Sequence, residues 1–205
     1  MSPSDRPYHH GDLRAALIDA GLALTRSDGP EALRLREATR DVGVSPNAAY
    51  RHFADRRELL DAVGRRIQER MAERMLAHRS AAEGSRAARA RDGLRAVGLG
   101  YIDFATSEPG WFAVAFFPPP TPAQDVTPHE AAPFRLLVEA LDELAAAGVL
   151  PQDAREGAEW ACWSTVHGFA DLATRGPLAA QPPAEVRRHA ERVIESIIDG
   201  ICLAS

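Results

Sequence analysis

At 205 residues, with 45% hydrophobic and 6% aromatic side chains, the chain is long enough for a real core and short for two large domains. No run of 18 apolar residues occurs, which excludes a membrane-spanning helix, and the opening MSPSDRPYHHGD lacks an apolar signal core, so a cytoplasmic protein with no membrane partner is expected. The net charge of −5 argues against a nonspecific nucleic-acid coat, but it is unevenly spread: residues 1–80 carry 14 Arg against 12 acidic residues, and residues 81–205 carry 10 against 17.

A basic end on an acidic remainder fits a local polyanion-binding surface. Every basic chain-side group is Arg, since Lys is absent. Cys162 and Cys202 have neither a disulfide-framework nor a metal-ligand spacing and read as small buried hydrophobes. No metal and no cofactor is expected.

Nothing alternates with a strand period, and Val and Ile fall at helical spacing, so an all-α fold of about nine helices is expected. The first helix runs from Asp12 to Arg26, with Leu13, Ala16, Leu17, Ala20 and Leu24 as its apolar stripe, and Ser27-Asp28-Gly29-Pro30 stops it. A short helix covers Leu35 to Val42, Gly43 breaks it, and a second runs from Ser45 to near His52. A long helix from Arg56 to Arg79 follows, with Asp55 as N-cap, Glu58 at capping-box spacing, and Leu60, Val63, Ile67 and Met71 buried. Ser80 to Ala87 is a small-residue connection, which divides the chain into residues 1–54, a connecting helix over 55–80, and a larger helical domain over 81–205. Within that domain a helix spans Ala88 to Thr106, an apolar turn covers Trp111 to Phe117, and the proline-rich Pro118 to Glu130 is an extended loop. Three more helices span Ala132–Ala147, Asp153–Thr174 and Pro183–Leu203.

The stretch GVSPNAAYRHF, Gly43 to Phe53, carries the functional signal. Gly43 supplies a turn that tolerates positive φ, Ser45 can cap the next helix, and Pro46 suits its first position. Two short helices joined by a tight Gly turn make a helix-turn-helix, whose second helix enters a DNA major groove. Asn47, Ala48 and Ala49 are small enough for close approach to the bases. Tyr50 and His52 can reach phosphate oxygens, Arg51 and Arg56 add charge, and Phe53 reads as a core plug.

The run from Tyr8 to Val63, YHHGDLRAALIDAGLAL through GPEALRLREATRDVGVSPNAAYRHFADRRELLDAV, resembles the DNA-binding domain of the TetR family of bacterial transcriptional regulators. The resemblance implies three N-terminal helices, a connecting helix, and a domain that binds an effector and dimerises. It implies phosphate roles for Ser45, Tyr50 and His52, base roles for Asn47 and Ala48, and a basic position at Arg56; with Arg36, Pro46, Ala49 and Arg51 from the residues themselves, these make the expected DNA-binding set. Two positions depart from the family pattern. Arg34 stands where Ser or Thr caps the second helix, and Thr39 stands where a small Ala packs the two motif helices.

Trp163-Ser-Thr-Val-His167-Gly168 resembles the Trp–His–Gly signature of one C-terminal subgroup of the same family. Beside it, Ala158, Ala161, Thr165, Gly168 and Leu172 make a narrow small-residue face, and Val186, Ala190, Val193, Ile197 and Ile201 lie on a broad apolar face of the last helix. Paired with their copies across a two-fold axis, these two helices would form a four-helix dimer interface. Tyr101, Phe104, Trp111, Phe112, Phe116, Phe134, Trp160, Trp163 and His167 are the candidates for a small-molecule pocket. The expected function is a homodimeric, ligand-responsive repressor of a palindromic double-stranded DNA operator. The alternatives are an activator, or an architectural DNA-binding protein without an effector. An enzyme is not expected: no phosphate loop, nucleophile elbow or zinc spacing is present.

Overall fold

The computed structural model describes residues 13–79, 84–117 and 131–203. All of its regular elements are helical: α1 Leu13–Asp28, a 3-10 turn Pro30–Ala32, α2 Leu35–Val42, α3 Pro46–Ala49, α4 Arg56–Ala77, α5 Arg86–Ser107, α6 Pro109–Phe116, α7 Ala132–Ala146, α8 Gln152–Arg155, α9 Ala158–Thr174 and α10 Pro183–Leu203. Ten α-helices among the described residues therefore stand against an expected nine or so. The expected extended loop, Pro118 to Glu130, lies outside the described residues, as does the opening segment through Asp12.

Two differences have clear causes. Trp111–Phe117 is not a turn: Trp111–Phe116 is the body of α6 and Phe117 its C-cap, and the helix begins with Pro109 in its first turn, where a missing N–H is harmless. The expected helix Asp153–Thr174 is broken, because Gly157 adopts φ 80° and Glu156 is extended, so α8 and α9 are separate.

α1 to α3 form a small triangle over the start of α4. Leu17, Leu33, Phe53, Leu59 and Val63 are completely buried at its centre. Each contributes on the order of 1.5–3 kcal/mol through apolar burial. The same core continues along α4 through Ile67, Met71 and Met75 into α5, α6, α7 and α9. α4 is thus a shared wall of both halves, packed against α1 at one end and α5, α6 and α7 further along. Its start is fixed as expected: the Asp55 carboxylate accepts from Glu58 N at 2.9 Å, and the Glu58 carboxylate accepts from Ala54 N at 2.7 Å. No helix among the described residues is long and apolar enough to cross a membrane.

Candidate functional site

The helix-turn-helix is held by its turn. Gly43 ends α2 with φ 77° and ψ 28°, Val44 N donates to Thr39 O at 2.9 Å, and Gly43 N donates to Arg40 O at 3.1 Å. This is the reversal that a left-handed residue after a helix makes possible. Pro46 opens α3 as expected, but the Ser45 hydroxyl makes no capping bond, which leaves it on the surface. α3 proper is only four residues long, and turns carry the chain on through His52 N to Ala49 O at 2.9 Å. Phe53 then plugs the core at 0% exposure, with the Arg14 guanidinium 5.1 Å from its ring centroid.

The departures at Arg34 and Thr39 are both accommodated. Arg34 gives α2 no side-chain cap. Thr39 is buried, and its hydroxyl donates to Arg36 O at 2.9 Å, so the extra polar atom is satisfied within its own helix.

Ser45, Pro46, Asn47, Tyr50, Arg51, His52 and Arg36 of this motif are all exposed, and Ala48 is half-buried. Neither Arg36 nor Arg51 has an ion-pair partner among the described residues, so both charges are available to phosphates. Two expected contacts are placed otherwise. Ala49 is fully buried and packs the motif instead of approaching DNA. Arg56 turns inward: its guanidinium donates to Leu33 O at 2.6 Å and to Pro30 O, tying the 3-10 turn to the start of α4.

In the C-terminal half, most of the expected pocket residues do converge. Tyr101 of α5, Phe112 and Phe116 of α6 and Trp163 and His167 of α9 form one box, with Tyr101 and Trp163 centroids 5.2 Å apart and Phe116 and His167 centroids 5.5 Å apart. Phe134 of α7 extends the box 5.3 Å from Trp163, and Trp160 stands at its rim, 45% exposed. Tyr101 OH and His167 Nδ1 are 2.8 Å apart inside it. Burial keeps the Tyr101 phenol well above its ordinary pKa and lowers that of His167, so both are neutral at pH 7. The phenol has no other acceptor among the described residues, so it donates to Nδ1 and the imidazole carries its proton on Nε2. Beside the box, a separate apolar gap of about 20 Å³ is lined by Tyr101, Trp163, Met75, Val97 and Ile194, and not by Phe112, Phe116 or His167. The larger depression, about 710 Å³, is a surface groove with the charged side chains Arg79, Arg89, Asp92 and Glu143 in its lining.

Phe104 and Trp111 are not part of that box. They stack on each other at 6.4 Å on the opposite side of α6, where Trp111 Nε1 donates to Leu22 O of α1 at 2.9 Å. The Arg26 and Arg70 guanidinium carbons lie 5.2 and 5.0 Å from the Trp111 ring centroid. Arg26 also grips Glu108 with two nitrogens, the Nε bond measuring 2.8 Å. Gly110 lies directly on the end of α1, and a Cβ there would be 2.3 Å from Arg26 O. At its other end α6 touches α4, where Gln68 Nε2 donates to Ala115 O at 3.3 Å. α6 thus presents Phe112 and Phe116 to the box and Gly110 and Trp111 to the DNA-binding triangle. The sequence reading missed this bridge and missed Phe117, whose ring lies 5.3 Å from His167.

The expected interface residues divide. Ala161, Gly168 and Leu172 are exposed on α9, and Thr165, Val186, Val193 and Ile197 are half-buried. Ala158, Ala190 and Ile201 are buried inside this chain, where α9 and α10 pack on each other and on α5.

Residues 17–63 match the family model described as bacterial regulatory proteins, tetR family, and residues 94–197 match the tetracyclin repressor-like C-terminal domain. That second description is general and does not name the Trp–His–Gly subgroup. The chain is 31% identical to a protein of unknown function from Rhodococcus sp. RHA1, over 97% of this chain and 100% of that one, with a TM-score of 0.72. A TetR variant from Acinetobacter baumannii AYE, solved with minocycline, shares the fold at 18% identity and TM-score 0.59, covering 91% of this chain and 94% of that one. FadR from Bacillus subtilis, solved with stearoyl-CoA, shares it at 14% identity and TM-score 0.59, covering 92% and 99%. No curated protein matches the sequence. With an exposed helix-turn-helix on one half and a matching C-terminal domain on the other, the chain belongs to the TetR family, whose members are DNA-binding transcriptional regulators and not enzymes.

Proposed function

We propose that the protein is a homodimeric, ligand-responsive repressor that acts in the cytoplasm and reads a palindromic operator with the α3 region of each protomer. One observation carries this reading: α6 is in contact with the aromatic box and with α1 at once, through Phe112 and Phe116 on one side and Trp111 on the other. A molecule that enters among these packed rings must move them, and α6 carries two of them. Its movement is passed to α1 by the Trp111 and Glu108 contacts, which shifts the recognition segments relative to their copies. Two such segments must sit about 34–36 Å apart, or a close multiple, to fit successive turns of DNA. Effector and operator affinities are then reciprocally linked.

Tyr50 and His52 anchor phosphates, Asn47 and Ala48 face the bases, and Arg36 and Arg51 add charge. Across the two-fold axis, Ala161, Thr165, Gly168 and Leu172 of α9 meet Val193 and Ile197 of α10. The Trp–His–Gly stretch contributes to both roles, with Trp163 and His167 in the box and Gly168 on the outer face. The small molecules bound by the two solved neighbours differ so much in shape that they support an effector in general and neither one for this chain.

The test is release of bound DNA by a library of small apolar compounds, scored on the wild type and on Trp163→Ala. A compound that releases DNA from the wild type should lose its effect on Trp163→Ala, which still binds DNA. A compound that acts equally on both would contradict the box as the effector site.

A further inference from the structure

Four groups in the box form a column. The Trp163 and His167 rings lie 11° from parallel at 5.9 Å, and the His167 and Phe117 rings lie 22° from parallel at 5.3 Å. The Arg175 guanidinium carbon sits 3.5 Å from the Phe117 centroid. Three members of this column come from α9 and its end, Trp163 and His167 four residues apart and Arg175 eight residues further on. Only Phe117 comes from another element, as the residue that follows α6.

Both walls of the slot around Phe117 are held without it. Tyr101 fixes His167 through Nδ1, and Asp171 fixes Arg175, whose Nε donates to its carboxylate at 2.8 Å. Phe117 is itself only half-buried, and beyond its ring contacts it keeps, among the described residues, one backbone bond, to Ala113 O at 2.9 Å. The slot is thus bounded by two groups that have partners of their own, and its present filler is a half-buried ring that also touches Phe112 at 5.6 Å.

Resting on the reading of the box as the effector site, we propose that Phe117 occupies the effector's slot, and that the effector is a flat aromatic molecule that replaces the Phe117 ring between His167 and Arg175. An imidazole face and a guanidinium plane both favour a flat π system over a saturated ring of equal size. The cationic wall favours an uncharged or weakly acidic molecule over a cation. With the Phe117 centroid 5.3 Å from the His167 ring and 3.5 Å from the Arg175 guanidinium carbon, the slot has no room for a second ring unless Phe117 leaves. Because Phe117 is the end of α6, its departure loosens the helix that grips α1, so competition for the slot is itself the trigger.

The probe is 2-naphthol, compared with its saturated analogue 2-decalol, with binding measured by calorimetry on the full chain. If Phe117 fills the slot about nine-tenths of the time, its removal raises the competent fraction and tightens binding about tenfold. Phe117→Ala should therefore bind 2-naphthol about tenfold more tightly than the wild type. Phe117→Leu, which keeps apolar bulk without a flat ring, should fall between them. The gain should vanish in the double variant Phe117→Ala, Arg175→Gln, and 2-decalol should show none of it. Equal or weaker 2-naphthol binding by both Phe117 variants would overturn the proposal, as would equal gains for 2-decalol or no binding at all. Operator affinity measured alongside separates the two readings. Tighter 2-naphthol binding without any change in DNA affinity would keep the slot and refute the ligand-responsive reading. A compound that releases DNA while its affinity ignores Phe117→Ala would do the reverse.

Discussion

Gly110→Ala tests the α6 bridge at its narrowest point. A Cβ at position 110 would lie 2.3 Å from Arg26 O, 2.7 Å from Thr25 O and 2.8 Å from Arg26 C. All three are backbone atoms of α1, so no side chain can rotate away. An ordinary contact is about 3.5 Å, so α6 must retreat by about 1 Å. That retreat stretches the Trp111 Nε1 to Leu22 O bond, now 2.9 Å, beyond hydrogen-bond range. Overpacking of this kind costs about 1–3 kcal/mol and the lost bond about 1 kcal/mol. At about 2–4 °C per kcal/mol for a chain of this size, Tm should fall by roughly 5–15 °C. Thermal unfolding followed by circular dichroism reads the first effect. DNA affinity in the presence of a releasing compound reads the second, and the compound should release the variant's DNA less well than the wild type's. A Tm within about 1 °C of wild type, with coupling intact, would refute the claim that α6 is clamped on α1.

Four further outcomes follow from the placements above. Arg51→Ala should lower the slope of log affinity against log salt by about 1.8, about 0.9 from each protomer, whereas Arg56→Ala should leave that slope unchanged and cost about 1.5–3 kcal/mol of stability, as charged hydrogen bonds to the Leu33 and Pro30 carbonyls are lost. A reduced slope for Arg56→Ala would put that side chain on DNA. Tyr50→Ala should weaken binding to all DNA sequences alike, while Asn47→Ala should alter base preference; the reverse pattern would contradict the assigned contacts. Gly168→Ala meets nothing within 4 Å in this chain, so helix propensity alone predicts a gain of about 0.5–1 kcal/mol. With the α9 face closed on its copy, the added methyl should instead raise the dimer dissociation constant in sedimentation equilibrium, and a more stable, equally dimeric variant would contradict the interface. Finally, burial lowers the His167 pKa, so the unfolded chain takes up a proton near pH 6.5 that the folded chain resists. Its contribution is full above about pH 6.5 and is lost as the pH falls below it, so His167→Gln should flatten the acid limb of the stability curve relative to wild type.

The DNA-reading half was largely legible because its signals are local. Gly43 marks a left-handed turn, Pro46 a helix start, and Asp55 with Glu58 a capping box, and each acts within a few residues of chain. The inward bonds of Arg56 were not legible, because an Arg beside a recognition helix looks the same whether it faces a phosphate or a carbonyl. Ala49 was misplaced because smallness suits a packed corner as well as a groove. α6 was read as a turn because PGWFAVAF is apolar all round and so has no period to detect, which is the pattern of a helix buried on both sides. The same lack of period hid the division of its aromatics, Trp111 toward α1 and Phe112 and Phe116 toward the box. The split of α8 from α9 rests on one positive φ at Gly157, in a stretch whose helical spacing otherwise continues. On α10 the apolar face is broad enough to serve both the chain's own core and a partner, and sequence alone does not say that Ala190 and Ile201 belong to the core.

The central claim, that two copies of this chain read DNA together, is tested most directly by sequencing the genomic fragments retained by the purified protein. The account predicts an enriched inverted repeat whose half-sites lie about 34–36 Å apart, or a close multiple of that spacing. Enrichment of single, unrepeated sites, or of no sequence at all, would contradict it.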